Sequence, residues 1–179
     1  MIRVLCAILL LTLPDALDAQ GAPSAEALSH SVEQLRHAVG TWDVTTSFLG
    51  PDGSIARSVQ GTYEFDWVVP DRVVGGRSAI PELGQAGGIL FYVRERTGEI
   101  EMVSVGADGR LWVMTGPLGG EVRQTPEYPT EDGGRGALRF TRYNVLPDSF
   151  ESRMEYTNDG GLTWAQGNHQ TFRRRAGPP

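Results

Sequence analysis

Beginning at Thr41, apolar and polar residues alternate almost to the end of the chain, and this two-residue period restricts the fold more than any other feature. In "TWDVTTSFL", Trp42, Val44, Thr46 and Phe48 share one face. In "SIARSVQGTYEFDW", Ile55, Val59, Tyr63, Phe65 and Trp67 share one face, and Ser58, Gln60, Thr62, Glu64 and Asp66 the other. Successive side chains of a strand point to opposite sides, so such runs read as half-buried β-strands. Between the runs stand "GPDG", "VPDR", "RTGE", "GADGR", "GPLGGE", "LPDS" and "NDGG". In these turns proline pre-sets one dihedral and glycine supplies positive φ. The pattern predicts about ten strands, at 41–49, 54–67, 72–79, 87–95, 99–105, 110–116, 121–125, 137–145, 150–157 and 163–173. Turns this short make neighbours antiparallel. "PEYPTEDGGRG" is the one long connection. No repeat with a period of 20–50 residues is visible, so no propeller or solenoid is expected. A meander of this length hides its edges most simply by closing. The expected fold class is therefore all-β, a single up-and-down antiparallel barrel.

A different period precedes the strands. In "SAEALSHSVEQLRHAVG", Leu28, Val32, Leu35 and Val39 recur at helical spacing. Ser24 can cap this helix, Glu26 sits in its first turn and Gly40 ends it. Upstream, Arg3 is followed by a short apolar run, Val4 to Leu13, then Pro14 and small residues. That run is about half of the roughly 20 residues that a spanning helix needs, so it reads as a secretory signal peptide. The expected organisation is a signal peptide at 1–19, a linker and helix at 20–39, a barrel domain at 40–175 and a tail at 176–179. Export to a periplasm or the exterior is expected, with no stable membrane span after cleavage.

Composition excludes several classes of chemistry. The only cysteine, Cys6, lies in the leader, so the processed chain has no disulfide and no thiol nucleophile. The formal charge is −6; removing Arg3, Asp15 and Asp18 with the leader takes away a net −1 and leaves about −5. An acidic chain is a poor partner for nucleic acid, whose binding rests on clustered cations. There is no lysine, so no Schiff base can form. There is no G-x-S-x-G elbow, phosphate loop, H-E-x-x-H, EF-hand or G-x-G-x-x-G pattern.

Two motifs carry a family resemblance. "GTW" at 40–42 opens the first strand just after the helix, and resembles the G-x-W signature of lipocalins and their calycin relatives. The resemblance implies that Trp42 packs across the closed barrel end against an arginine of the last strand, here Arg173 or Arg174. "FTRYNVLPDSFESRMEYTNDGGLTW" is similar to the C-terminal hairpin of a group of exported bacterial calycin-like proteins, classed only as a domain of unknown function. Within it "YTNDGGLTW" also fits the Asp-box pattern of sialidase propellers. Asp159 can tie the turn, Gly160 and Gly161 can take positive φ, and Trp164 can anchor the loop. None of these roles touches a substrate, and a sialidase needs several blades, so the motif reads as structural.

Candidate chemistry is sparse. His169 is the only histidine in the strand region, and resemblance to the haem-binding nitrobindin branch of calycins implies a further alternative, haem ligation through it. Alternation places it instead with Thr171 and Arg173, opposite Phe172. His30 and His37 share a helix face without a third ligand and read as surface residues. Glu64 with Asp66 and Glu99 with Glu101 read as solvated strand faces rather than a glycosidase pair. Arg142 and Asn144 share a face, as do Arg153 and Glu155, and an inward arginine could hold an acid head group. Trp42, Tyr63, Phe65, Trp67, Phe91, Trp112, Phe140 and Tyr156 are the aromatic candidates for wall or core. The expected function is non-covalent binding of a small apolar or amphipathic molecule in the barrel. Arg142 and Arg153 would be its polar anchors, and Tyr63, Trp67, Trp112 and Tyr156 its contacts. No cofactor or metal is expected, and the oligomeric state is unknown. A cavity hydrolase or isomerase using a carboxylate and an arginine is the alternative.

Overall fold

The computed structural model describes residues 24–176. The leader expected at 1–19 and the end of the 176–179 tail lie outside them. One helix, α1 (Ala25–Ala38), is followed by β1 (Gly40–Leu49), β2 (Ile55–Val69), β3 (Val73–Ile80), β4 (Gln85–Arg94), β5 (Glu99–Gly106) and β6 (Leu111–Pro117). Then come β7 (Val122–Gln124), β8 (Tyr128–Pro129), β9 (Arg135–Leu146), β10 (Ser149–Thr157) and β11 (Ala165–Arg174). All inter-strand ladders are antiparallel. β9 pairs with β10, and this pairing closes the order β10-β11-β1-β2-β3-β4-β5-β6-β7-β9 into a ring. β8 is a two-residue spur on β9, formed within the long connection, so ten strands make the wall. The molecule is the closed all-β barrel that the alternation predicts, with one N-terminal helix.

The helix plugs one end. Ser24 caps it, its hydroxyl accepting from Ala27 N at 3.1 Å. Leu35 packs with Val74, Ile100 and Leu118 beneath it, with Trp67 against the same cluster. The buried stripe differs from the predicted one. Ser31, Gln34 and Leu35 are its buried residues, rather than Leu28, Val32, Leu35 and Val39 together. Hydrogen bonds make the two polar burials tolerable: the Ser31 hydroxyl accepts from Gly119 N at 2.8 Å, and Gln34 Nε2 donates to Gly120 O at 3.0 Å. Both glycines lie in the β6–β7 turn, so the helix is tied to the barrel rim by polar contacts.

The G-x-W signature explains the other tie. The carbonyls of His37, Ala38 and Val39 end the helix without intrahelical partners. Arg174 donates to His37 O at 2.9 Å and to Val39 O at 2.6 Å, while Trp42 Nε1 donates to Ala38 O at 2.8 Å. The Arg174 guanidinium carbon lies 4.2 Å from the centre of the Trp42 ring. Of the two candidate arginines it is therefore Arg174, not the exposed Arg173, that meets the tryptophan. Gly40 has φ 125°, and a Cβ there would come within 2.6 Å of Arg174 Nη1, which accounts for the glycine of the motif. Trp42 is fully buried with Val44, Phe150 and Phe172.

At the opposite end the "TNDGGLT" turn is closed by its own side chains. Asp159 accepts from Thr163 N at 3.0 Å, from the Thr163 hydroxyl at 2.6 Å and from the Thr157 hydroxyl at 2.6 Å. These donors hold its carboxyl well below the usual range. Gly161 takes φ 86°, and the ring of Trp164 lies next to it, under the Arg139 guanidinium at 4.1 Å. The turn also bonds to Arg135 of the long connection through Gly160 N and Asn158 O, at 2.9 and 3.1 Å.

Candidate functional site

Closure leaves a cavity of about 580 Å³ inside the barrel, within the range of roughly 300–1,000 Å³ common for small-molecule sites. Its wall is mainly apolar: Phe65, Ile89, Phe91, Met102, Phe140 and Phe172 point into it. Trp112 lines it towards the end away from the helix, packed on Tyr128 with ring centroids 5.6 Å apart. The turns around Gly84–Ala86 and Gly106–Asp108 border it at that same end. Gln34, His37 and Ala38 of α1 close the other end as a floor.

Midway up the wall is a polar network. Gln170 Nε2 donates to the Thr46 hydroxyl at 2.9 Å and to the Tyr63 hydroxyl at 3.2 Å. The Ser152 hydroxyl donates to Gln170 Oε1 at 3.4 Å. Burial pushes the Tyr63 hydroxyl above its ordinary pKa, so it stays a neutral phenol. These groups largely satisfy one another.

The floor is different. Arg123 on β7 is 1% exposed and Arg142 on β9 is 8% exposed. Arg123 donates to Gln34 Oε1 at 2.5 Å, a neutral partner, and lies 4.6 Å over the Phe91 ring. Burial pulls its pKa down to about 10 from 12.5, equivalent to about 3 kcal/mol against the charged form. Arg142 sits 5.2 Å over the Phe150 ring, and among the described residues its ion pair is with Glu121 at 3.5 Å. Burial lowers it as well, with Glu121 opposing. His37 Nε2 lies 2.8 Å from Leu146 O. A carbonyl only accepts, so Nε2 carries the proton and Nδ1 is a bare acceptor in the neutral ring. His37 Nδ1, Arg123 Nε and Glu121 Oε2 are buried without a hydrogen-bond partner among the described residues. Burial, followed by the charges of Arg142 and Arg174, depresses the His37 pKa.

Several expected residues stand here, and others do not. Arg142, Tyr63 and Trp112 line the cavity, as do Phe65, Phe91 and Phe140. Trp67 points inward but lies in the layer beneath the helix. Arg153 faces out: Phe150 and Met154 hold the inner face of β10, so Arg153 turns to the surface, pairing with Glu155 at 3.4 Å. Tyr156 is 42% exposed and outside the cavity. His169 is on the outer wall, 2.9 Å from Glu151, so no enclosed pocket surrounds it for a haem. His37 is not the surface residue that its helix position suggests; it stacks near Trp42 and Phe150, with centroids at 5.4 and 5.7 Å. Glu64, Glu101 and Glu155 bond to arginines on the outer face and do not line the cavity. Among the described residues there is no group of three or more potential metal ligands, and no helix is long and apolar enough to cross a membrane.

Arg123 escaped the sequence reading because its strand is inverted. In "EVRQ" the apolar Val122 faces solvent at 42% exposure, and the arginine is buried. The usable signal is non-local: Arg123 pairs with Phe140, and cross-strand partners share a face.

No protein-family model and no curated protein matches the sequence. Solved structures do match in shape. The crystal structure of Rv2717c from M. tuberculosis is similar with TM-score 0.54 and 13% identity, covering 82% of this chain and 98% of that one. The S-type phycobiliprotein lyase CPES from Guillardia theta is similar with TM-score 0.52 and 13% identity, covering 87% of this chain and all of that one, 100%. At such identity the likeness is one of fold. The fold is a closed antiparallel β-barrel plugged by one helix, and it holds a cavity with mainly apolar walls.

Proposed function

We propose that this protein is exported and binds one small, predominantly apolar molecule non-covalently inside the barrel. The cavity itself carries the reading: a space of about 580 Å³ with aromatic and aliphatic walls, plugged at one end and bordered by turns at the other. Burying apolar surface there yields roughly 25 cal/mol per Å², enough for micromolar affinity from a ligand that fills it. Tyr63, Trp112 and Arg142 are the contacts retained from the sequence reading, joined by Phe91, Phe140 and Arg123. For a hydrolase or isomerase, Glu64, Glu101 and Glu155 face away from the cavity, which leaves Asp108 at the end away from the helix and Glu121 beside Arg142 as the carboxylates such chemistry would have to use.

The test is equilibrium titration of the purified protein with a panel of apolar and amphipathic probes, read by tryptophan fluorescence. Saturable one-to-one binding is expected, abolished by Ser104→Trp, which fills the cavity from β5. Absence of binding across the whole panel, or binding that survives Ser104→Trp, contradicts the proposal.

A further inference from the structure

We propose that the cavity floor holds the head group of a singly charged amphipathic acid, with Arg142 as its contact and Arg123 as a second positive charge beside it. The inference rests on the cavity being a binding site and names the class of molecule that fills it.

Charge balance is the first argument. Arg123 and Arg142 are both more than nine-tenths buried, and both line the cavity. Among the described residues Glu121 is the one carboxylate paired with them; its Oε1 is 3.1 Å from His30 and its Oε2 is 3.5 Å from Arg142. Among the described residues the amide of Gln34 is the one side-chain hydrogen-bond partner of Arg123. With His37 held neutral, two cations face one carboxylate, and the floor carries about one unbalanced positive charge. A buried cation without a matching anion is costly, and a carboxylate with bidentate geometry is the natural complement of a guanidinium.

The second argument is placement. Mid-wall, Tyr63, Thr46, Ser152 and Gln170 are engaged with each other. Among the described residues the buried polar atoms without partners are one donor, Arg123 Nε, and two acceptors, His37 Nδ1 and Glu121 Oε2, and all belong to residues at the helix end. The polar demand therefore lies opposite the turns that border the cavity, with apolar wall between. An amphiphile that enters head first sets its charge against Arg142 and its chain along Phe91, Phe140 and Met102 towards Trp112. A single negative charge matches the floor; a cation would meet two arginines.

The test compares three ligands of one chain length, decanoate, decan-1-ol and decylammonium, by calorimetry on the purified protein. Decanoate is expected to bind about ten- to a hundredfold more tightly than the alcohol, as for a charge-assisted hydrogen bond in a desolvated site, and decylammonium more weakly than both. Arg142→Gln is expected to erase the advantage of the acid over the alcohol. Gln34→Glu places a carboxylate beside Arg123 with little change of shape, and is expected to do the same without removing a buried cation. It carries the test if Arg142→Gln does not fold. Equal affinity of acid and alcohol for the native protein overturns this inference and leaves the cavity function standing. An acid preference that persists in folded Gln34→Glu also overturns it. Failure of all three probes to bind overturns both.

Discussion

Single side chains decide the chemistry of this barrel through their burial and the charges around them. His37 is the clearest case. Burial disfavours its charged form and Arg142 and Arg174 add positive charge nearby, which outweighs the bond from Nε2 to Leu146 O and the Glu121 carboxylate. Its folded pKa therefore lies below the ordinary 6.5. The unfolded chain binds the proton more readily, so stability from this residue is fully present above about pH 6.5 and is lost as pH falls towards the folded pKa. The carboxylates with depressed values, Asp43, Asp52, Asp71, Asp132, Glu151 and Asp159, act only at lower pH, below their ordinary values of 3.8 to 4.5. Melting temperature measured from about pH 7.5 to pH 5 should thus fall less steeply for His37→Gln than for the native protein. Parallel slopes would rule out this account of His37.

The same scale shows where reading residues from sequence stops working. Alternation sorts a strand into two faces without saying which is inside. Aromatic residues narrow the choice without settling it: of the candidates for wall or core, Tyr63 and Phe65 line the cavity, whereas Tyr156 is 42% exposed. Where polar residues occupy both faces the inside was not legible: Arg142 and Arg153 look alike on paper, yet one is 8% exposed and the other has a side chain 47% exposed. Height along the axis is hidden as well. Trp67 and Trp112 both point inward, but the stagger of the strands puts one under the helix and the other in the cavity wall.

Among the elements, the strands were the legible part and the helix face was not. The ten predicted strands correspond to the ten of the wall, with ends shifted by a few residues. The spur β8 went unseen because two residues carry no period. In α1 the buried stripe passes through Ser31 and Gln34, which a hydrophobic pattern reads as solvent-facing. Their burial depends on acceptors and donors in the β6–β7 turn, far away in sequence. Ser31→Ala removes the acceptor for Gly119 N and leaves that group buried and unpaired. The expected loss is about 1–3 kcal/mol in urea unfolding. A loss no larger than that of an exposed serine on the same helix, such as Ser29, would show that the tie is dispensable.

At the scale of the whole molecule, the G-x-W signature and the C-terminal hairpin act at opposite ends of the barrel. Trp42 and Arg174 together satisfy the last carbonyls of the helix, and so join the first strand, the last strand and the plug. The "TNDGGLT" turn, held by Asp159 and Thr157, stabilises the far end and contributes no side chain to the cavity. Its likeness to an Asp box is a likeness of turn geometry, in a barrel rather than a propeller. With both ends set by structural motifs, function is left to the space between them, where apolar walls lead down to two buried arginines.

Native mass spectrometry of the protein purified gently from its own host tests that account most directly. The account requires a population carrying one small non-covalent adduct, released on unfolding, absent from Ser104→Trp and identified on release as an amphipathic acid. A bare polypeptide mass under conditions that preserve the fold, together with no uptake of added decanoate, would contradict it.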